Sequence, residues 1–341
     1  MPVAAIALCL GIVLLSPAVL ASESGLLFET DTPISLELKG PLRRLIRQKH
    51  KRKEMAFTLT TPAGAHEVTV RARGKSRMRV CSFPPLRISF ADDATPGTLF
   101  KGEDNLKLVT HCLDSNSAQA NAILEYAAYR IFNIFTEIGY RVRLADIAYT
   151  ESDAQAPTAR NFGFLIESRR ALSERLSGNF IQAPGVALGA LEQSHLASVF
   201  LFQYLIGNTD WSLVAADEPN CCHNGDLLDI GKRRFYVPYD FDLAGLVNAS
   251  YAYPDPALRI RRVTQRVYRG FCLPDAVVES ALTDVMARWT EIKQMVDQLP
   301  IEGRDARELH DFLEGFHRLA TGERDILNVI KRSCLGSAQR R

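Results

Sequence analysis

The chain has 341 residues, 47% of them apolar, enough for a substantial core in one large domain or two lobes. Its 41 Lys and Arg nearly balance 39 Asp and Glu, and a formal net charge of +2 argues against a protein built to hold nucleic acid. The basic charge is nonetheless clustered: Pro41 to Glu54 carries seven Lys/Arg and one acid, and Arg259 to Arg269 carries five arginines and no acid. Either run suits a phosphate or an anionic envelope surface, although a solvated face is the simpler reading of each.

The N-terminal stretch is apolar from Val3 to Ala21, is broken by Pro17 and ends in Val19-Leu20-Ala21. It reads as a signal peptide, residues 1–21, cut after Ala21. An uncleaved membrane anchor is the alternative. The expected location is periplasmic or secreted. Cleavage would remove Cys9 and leave six cysteines, an even number that suggests disulfides in an exported chain. Cys81 and Cys112 lie on strands expected to be close and form the first expected bridge. Adjacent cysteines rarely pair, so Cys221 and Cys222 are each expected to reach elsewhere. Zinc at Cys221-Cys222-His223 would lack a second ligand pair.

From Leu26 to Cys112 the chain alternates in short β-branched runs separated by turn residues, with a hairpin signal at Pro62 to Gly64. This predicts an antiparallel sheet. Ala118 to Gly139 then carries apolar residues at helical spacing, and two more strands follow up to Glu167. Beyond it the chain turns mostly helical. His195 to Gly207 is almost wholly apolar and predicts a buried helix, and Gly225 to Asp240 predicts two strands around a turn at Gly231-Lys232. The predicted fold class is α+β: a sheet lobe with one inserted helix over residues 22–168, and a mainly helical lobe over 169–341.

The candidate chemistry follows the buried helix. Asp210 sits on the loop after Gly207, Asn224 on a later loop, and Asp240 and Asp242 at a strand end. Residues two apart on a strand share a face, so the two aspartates need screening, a proton, or a cation between them. Upstream, Lys107 lies in an apolar strand and Glu125 in the inserted helix. Each residue alone has an ordinary structural explanation. Their order, however, is the one phosphoryl transfer requires. A strand Lys oriented by a helix Glu holds the phosphates, a loop Asp accepts the hydroxyl proton, and an Asn and a strand-end Asp hold Mg²⁺ or Mn²⁺.

Leu205 to Ser212, His223-Asn224 and Val237 to Gly245 resemble the core of the spore-coat CotH kinase family and, more distantly, the HipA and lipid-kinase branch of the kinase-like fold. Val70 to Phe90 and Ile123 to Arg143 resemble that family's Arg-Gly-Asn-Ser segment and its inserted helix with the strand after it. The resemblance implies a two-lobed kinase-like fold using ATP. Asp210 would be catalytic, and Asn224, Asp240 and Asp242 would hold metal. Lys107, Glu125, Glu167 and the turn residues Arg73, Gly74 and Ser76 would hold nucleotide. Asn224 departs from the family pattern: it lies fourteen residues past Asp210, where about five is commoner, and the five-residue position is Ala215. Arg87 is the alternative to Lys107. The acceptor would be a Ser/Thr hydroxyl of a protein or a small-molecule hydroxyl. An inactive pseudokinase and a cell-envelope scaffold remain as alternatives.

Overall fold

A computed structural model describes residues 26–91, 95–113, 116–214, 221–322 and 326–336. The expected leader, residues 1–21, lies outside them, as does Ala215.

The first half of the chain builds strands β1 (Ile34–Gly40), β2 (Met55–Thr61), β3 (Gly64–Ala72), β4 (Leu86–Phe90), β5 (Asn105–Val109), β6 (Val142–Glu151) and β7 (Ala159–Ile166). Two short helices, α1 (Leu42–Arg47) and α2 (Arg77–Val80), and the long α3 (Asn116–Phe135) interrupt them. In β1 and β2 burial alternates residue by residue, the period of a strand with one face on a core. The inward set includes Leu36, Leu38, Phe57, Leu59, Ile88 and Leu106.

Closure is where the structure departs from the expected open sheet. The strands form a barrel in the order β1-β2-β3-β4-β5-β7-β6. It is shut by a parallel pairing of β1 with β6 that runs from Ile34–Ala145 to Gly40–Glu151. All other neighbours in the barrel are antiparallel. Full closure removes the exposed edges an open sheet would leave. Two local expectations also change. Met78 to Val80, expected as strand, belongs to α2, and α3 stops at Phe135 rather than at Gly139.

The second half supplies α4 (Arg169–Leu176), β8 (Gly178–Ile181), α5 (Gln193–Leu205), β9 (Gly225–Ile230), β10 (Arg233–Pro238), α6 (Asp275–Ala287), α7 (Trp289–Asp297), α8 (Gly303–Thr321) and α9 (Ile326–Ser333). Two starts are capped by side chains: Ser168 accepts from the N–H of Ala171, and Glu192 from that of His195. Strands β8, β9 and β10 form a small antiparallel sheet, with the expected turn at Gly231-Lys232 between the last two. Helix α3 lies against β6 and β7 on one side and touches α5, α7 and α8 on the other. It thereby carries one continuous apolar core from the barrel's outer face into the helices. α5 is buried along most of its length, as its composition requires.

Three disulfides form: Cys81–Cys112, as expected; Cys272–Cys334; and Cys221–Cys222. The last corrects the expectation that the adjacent pair would reach elsewhere. The two sulfurs join each other and lie against the Leu213 carbonyl. No helix among the described residues is long and apolar enough to cross a membrane.

Candidate active site

Helix α5 ends at Gly207, whose φ of +63° is a left-handed conformation that glycine adopts without steric cost. The turn points Asn208 inward, where it is 1% exposed. Its Nδ2 donates to Gln203 Oε1 at 2.9 Å, and its Oδ1 accepts from the Asp210 N–H at 2.9 Å. Arg269, from the second basic run, donates to the Thr209 carbonyl. Asp210 is therefore held on a loop whose backbone is fixed from both sides.

The thirteen residues between Asp210 and Asn224 do not keep them apart. Ser212 and His223 exchange backbone hydrogen bonds of 3.2 and 3.0 Å, and the chain returns on itself. Asn224 Nδ2 then donates to Asp210 Oδ2 at 2.8 Å and to the Asp210 carbonyl at 2.7 Å. His223 Nε2 lies 2.9 Å from Asp210 Oδ1.

Asn224 also begins the β9–β10 hairpin, and Asp240 follows its other strand. The Tyr239 N–H donates to the Asn224 carbonyl at 3.0 Å, so the two residues flank the same open end. Both are left-handed, Asn224 at φ 51° and Asp240 at φ 63°, a conformation uncommon for residues with a side chain and best tolerated by Asn and Asp. Beneath them a Cβ on Gly225 would meet the Tyr236 ring at 2.0 Å, so only glycine fits.

The cation beside Asp240 and Asp242 is a guanidinium. Arg77 grips Glu125 with two hydrogen bonds of 2.8 and 3.0 Å, and reaches Asp240 Oδ1 at 2.5 Å and Asp242 Oδ2 at 3.0 Å. This corrects two expectations. Glu125 is paired with Arg77 rather than with Lys107, and Asp242 is committed to Arg77 and to the Tyr251 hydroxyl, which donates to it at 3.2 Å. Burial pushes the Asp242 carboxyl up to about 8, against the pull of Arg77. Desolvation also works against the charge of Asp240. There Arg77 and Arg73 outweigh it and hold the carboxyl below its ordinary value.

Lys107 stands on the outer face of the barrel, its ammonium 5.6 Å from the Tyr140 ring centre and 6.0 Å from that of Tyr239. Burial, reinforced by Arg73, lowers its pKa to about 8. Arg87 is its direct cross-strand partner, and Arg71 is in turn that of Arg87. The two residues weighed as alternatives thus belong to one row of three cations across β3, β4 and β5. Like charges placed opposite each other are unfavourable unless something anionic joins them. Arg87 Nε is buried and has no hydrogen-bond partner. Gly74 is left-handed at φ +102°, and its carbonyl accepts from Arg52; the Ser76 side chain makes no capping bond to α2. Glu167 is placed elsewhere. It takes two bonds from Arg175, at 2.9 and 2.8 Å, and one from the Arg141 N–H, which ties β7 to α4.

Sequence reasoning missed three residues. Arg77 directly follows Ser76 and resembles every other arginine in a basic segment. His223 enters the sequence reading as a zinc candidate and as the neighbour of Asn224, with no role of its own in the chemistry. Asp226 is 9% exposed, accepts from the Tyr140 hydroxyl at 2.5 Å and is held by Arg169. A carboxylate directly ahead of the apolar Leu227-Leu228 pair was the available signal for it.

Asp210, Asn224 and Asp240 offer the hard oxygen donors that Mg²⁺ prefers. Among the described residues, no three His, Cys, Asp or Glu side chains converge as a ready metal site. No family model matches the chain, and no curated protein matches it. Among solved structures it is similar to the Helicobacter pylori proinflammatory kinase CtkA, at 10% identity and a TM-score of 0.40, over 73% of this chain and 92% of that one. A likeness at that level fixes no activity.

Proposed function

We propose that the protein is a phosphotransferase that moves the γ-phosphoryl group of ATP to a hydroxyl. One observation carries this. Asn224 and Asp240 stand left-handed on either side of one hairpin end, and Asn224 is hydrogen-bonded to Asp210. The residues we read as a metal-binding pair and a proton acceptor thus come from three separate segments of the chain.

Asp210 takes the proton of the attacking hydroxyl as its oxygen approaches phosphorus. Asn224 and His223 fix the orientation of that carboxylate. Asn224 and Asp240 would hold Mg²⁺ or Mn²⁺, which would supply positive charge against the phosphates. The row Arg71, Arg87 and Lys107 suits the remaining phosphate charge, and an anion there would relieve its repulsion. Asp242 supports Arg77 and stands behind Asp240 as the more deeply buried carboxyl group. Three disulfides support a working environment outside the reducing cytoplasm. The acceptor is a protein Ser/Thr or a small-molecule hydroxyl.

The test is incubation of the oxidised protein with γ-labelled ATP and Mg²⁺ or Mn²⁺, alone and with candidate hydroxyl acceptors. Label should transfer in the wild type. Asp210→Asn should keep nucleotide binding and lose transfer. Equal transfer by that variant would remove Asp210 from the chemistry, and absence of any nucleotide binding by the wild type would leave an inactive scaffold.

A further inference from the structure

We propose that Arg77 is a displaceable counter-ion that keeps the metal's place in the ligand-free protein, so that the site admits a divalent cation together with nucleotide phosphates and resists the cation alone. The inference rests on the proposed function only in taking Asp240 as a metal ligand.

The guanidinium spans three carboxylates contributed by two parts of the molecule. Glu125 comes from α3 on the barrel, and Asp240 and Asp242 come from the chain after β10. Glu125 is 2% and Asp242 4% exposed, whereas the Asp240 side chain is 42% exposed. A cation entering from solvent therefore meets Asp240 first, and finds Oδ1 already taken by Arg77 Nη2. It must approach against a fixed positive charge or displace it.

The backbone around Arg77 is anchored. Cys81, just past α2, is tied to Cys112, and Lys49 Nζ donates to the Cys81 carbonyl at 2.6 Å. The four-residue helix cannot readily carry Arg77 away, so displacement has to be a movement of the side chain. The bonds of Nη1 to Glu125 and of Nε to Asp242 allow that: the guanidinium can pivot about those two and lift Nη2 off Asp240. A nucleotide phosphate supplies the negative charge that Nη2 gives up. Cation and phosphate should then favour each other's binding, a reciprocity that follows from linkage.

Mn²⁺ binding to the full oxidised chain, read by electron paramagnetic resonance without nucleotide, tests this. Arg77→Met with Glu125→Gln removes the guanidinium and one of the two buried carboxyl groups it serves, leaving Asp242. That double variant should bind Mn²⁺ at least about tenfold more tightly than the wild type, and adding Asp240→Asn should abolish the gain. Arg77→Lys keeps the charge but lacks the second nitrogen that spans Glu125 and Asp240. It should bind Mn²⁺ a few-fold more tightly than the wild type, which covers a failure of the double variant to fold. Unchanged Mn²⁺ affinity in Arg77→Lys, or in a double variant with wild-type near-UV circular dichroism, would overturn the proposal. Neither readout uses ATP, so a wild type that transfers no phosphate leaves this test standing, and a failed gain in Mn²⁺ affinity leaves phosphotransfer standing.

Discussion

Glu103 shows what an unpartnered charge costs in this fold. It is 4% exposed, and its Oε2 has no hydrogen-bond partner. Burial, and then the charge of Glu167, raise its pKa from 4.5 to about 7. The folded chain therefore holds a proton that the unfolded chain releases. This group's contribution to stability is full below pH 4.5 and is lost as pH rises through 7. Glu103→Gln should flatten that part of the profile and stabilise the protein at pH 8 by on the order of 1–3 kcal/mol. Urea melts of both proteins at pH 5 and pH 8 measure the difference. At the same scale, legibility in the sequence followed chemistry. Asp210, Asn224 and Asp240 are ordinary loop residues one by one and are legible only as a set, by their order along the chain. Arg77 is not, because its role depends on which carboxylates fold around it, and nothing local to a Ser-Arg-Met run states that.

Elements with a strong period were legible and those without one were not. The β2–β3 hairpin, α5 and the β9–β10 hairpin each carry an unambiguous alternation or apolar run, and each occurs where the pattern places it. Helix α2 has four residues, too few for any period to appear, so its residues passed for strand. The β9–β10 hairpin makes a specific claim on Gly225. Gly225→Ala would drive a methyl group into the Tyr236 ring and should cost about 1–3 kcal/mol. It should also shift Asn224, so phosphotransfer should fall by more than the stability loss explains; thermal melts beside activity assays separate the two. The Cys272–Cys334 bridge ties the end of α9 to the chain ahead of α6 across 62 residues. Replacing both cysteines with serine should lower stability by about 2–4 kcal/mol, measurable by chemical denaturation without reductant.

At the scale of the whole molecule, the site lies where the barrel, through Arg77 and Lys107, meets the helical part, through Asp210, Asn224 and Asp240. A ligand held by both should stabilise their union. Mg-nucleotide at a hundredfold excess over its dissociation constant should add about 2.7 kcal/mol, and Asp240→Asn should lose most of it; thermal melts with and without Mg-nucleotide read both. The mixed α+β class was legible, since strand-like and helix-like periods can be told apart along the chain. Closure of the barrel was not. It depends on a contact between Ile34 and Ala145, and no local pattern reports a partner so far away.

That closure bears on how the protein is made. Without β6 and β7, β1 and β5 would each have one side unpaired. The β6–β7 hairpin fits between β5 and β1 and covers both at once. One hairpin thus decides between a sealed molecule and a template open at two places to other chains. A chain stalled or cut ahead of Val142 would carry both openings, and its fate would be set by how quickly a neighbour's strand finds them.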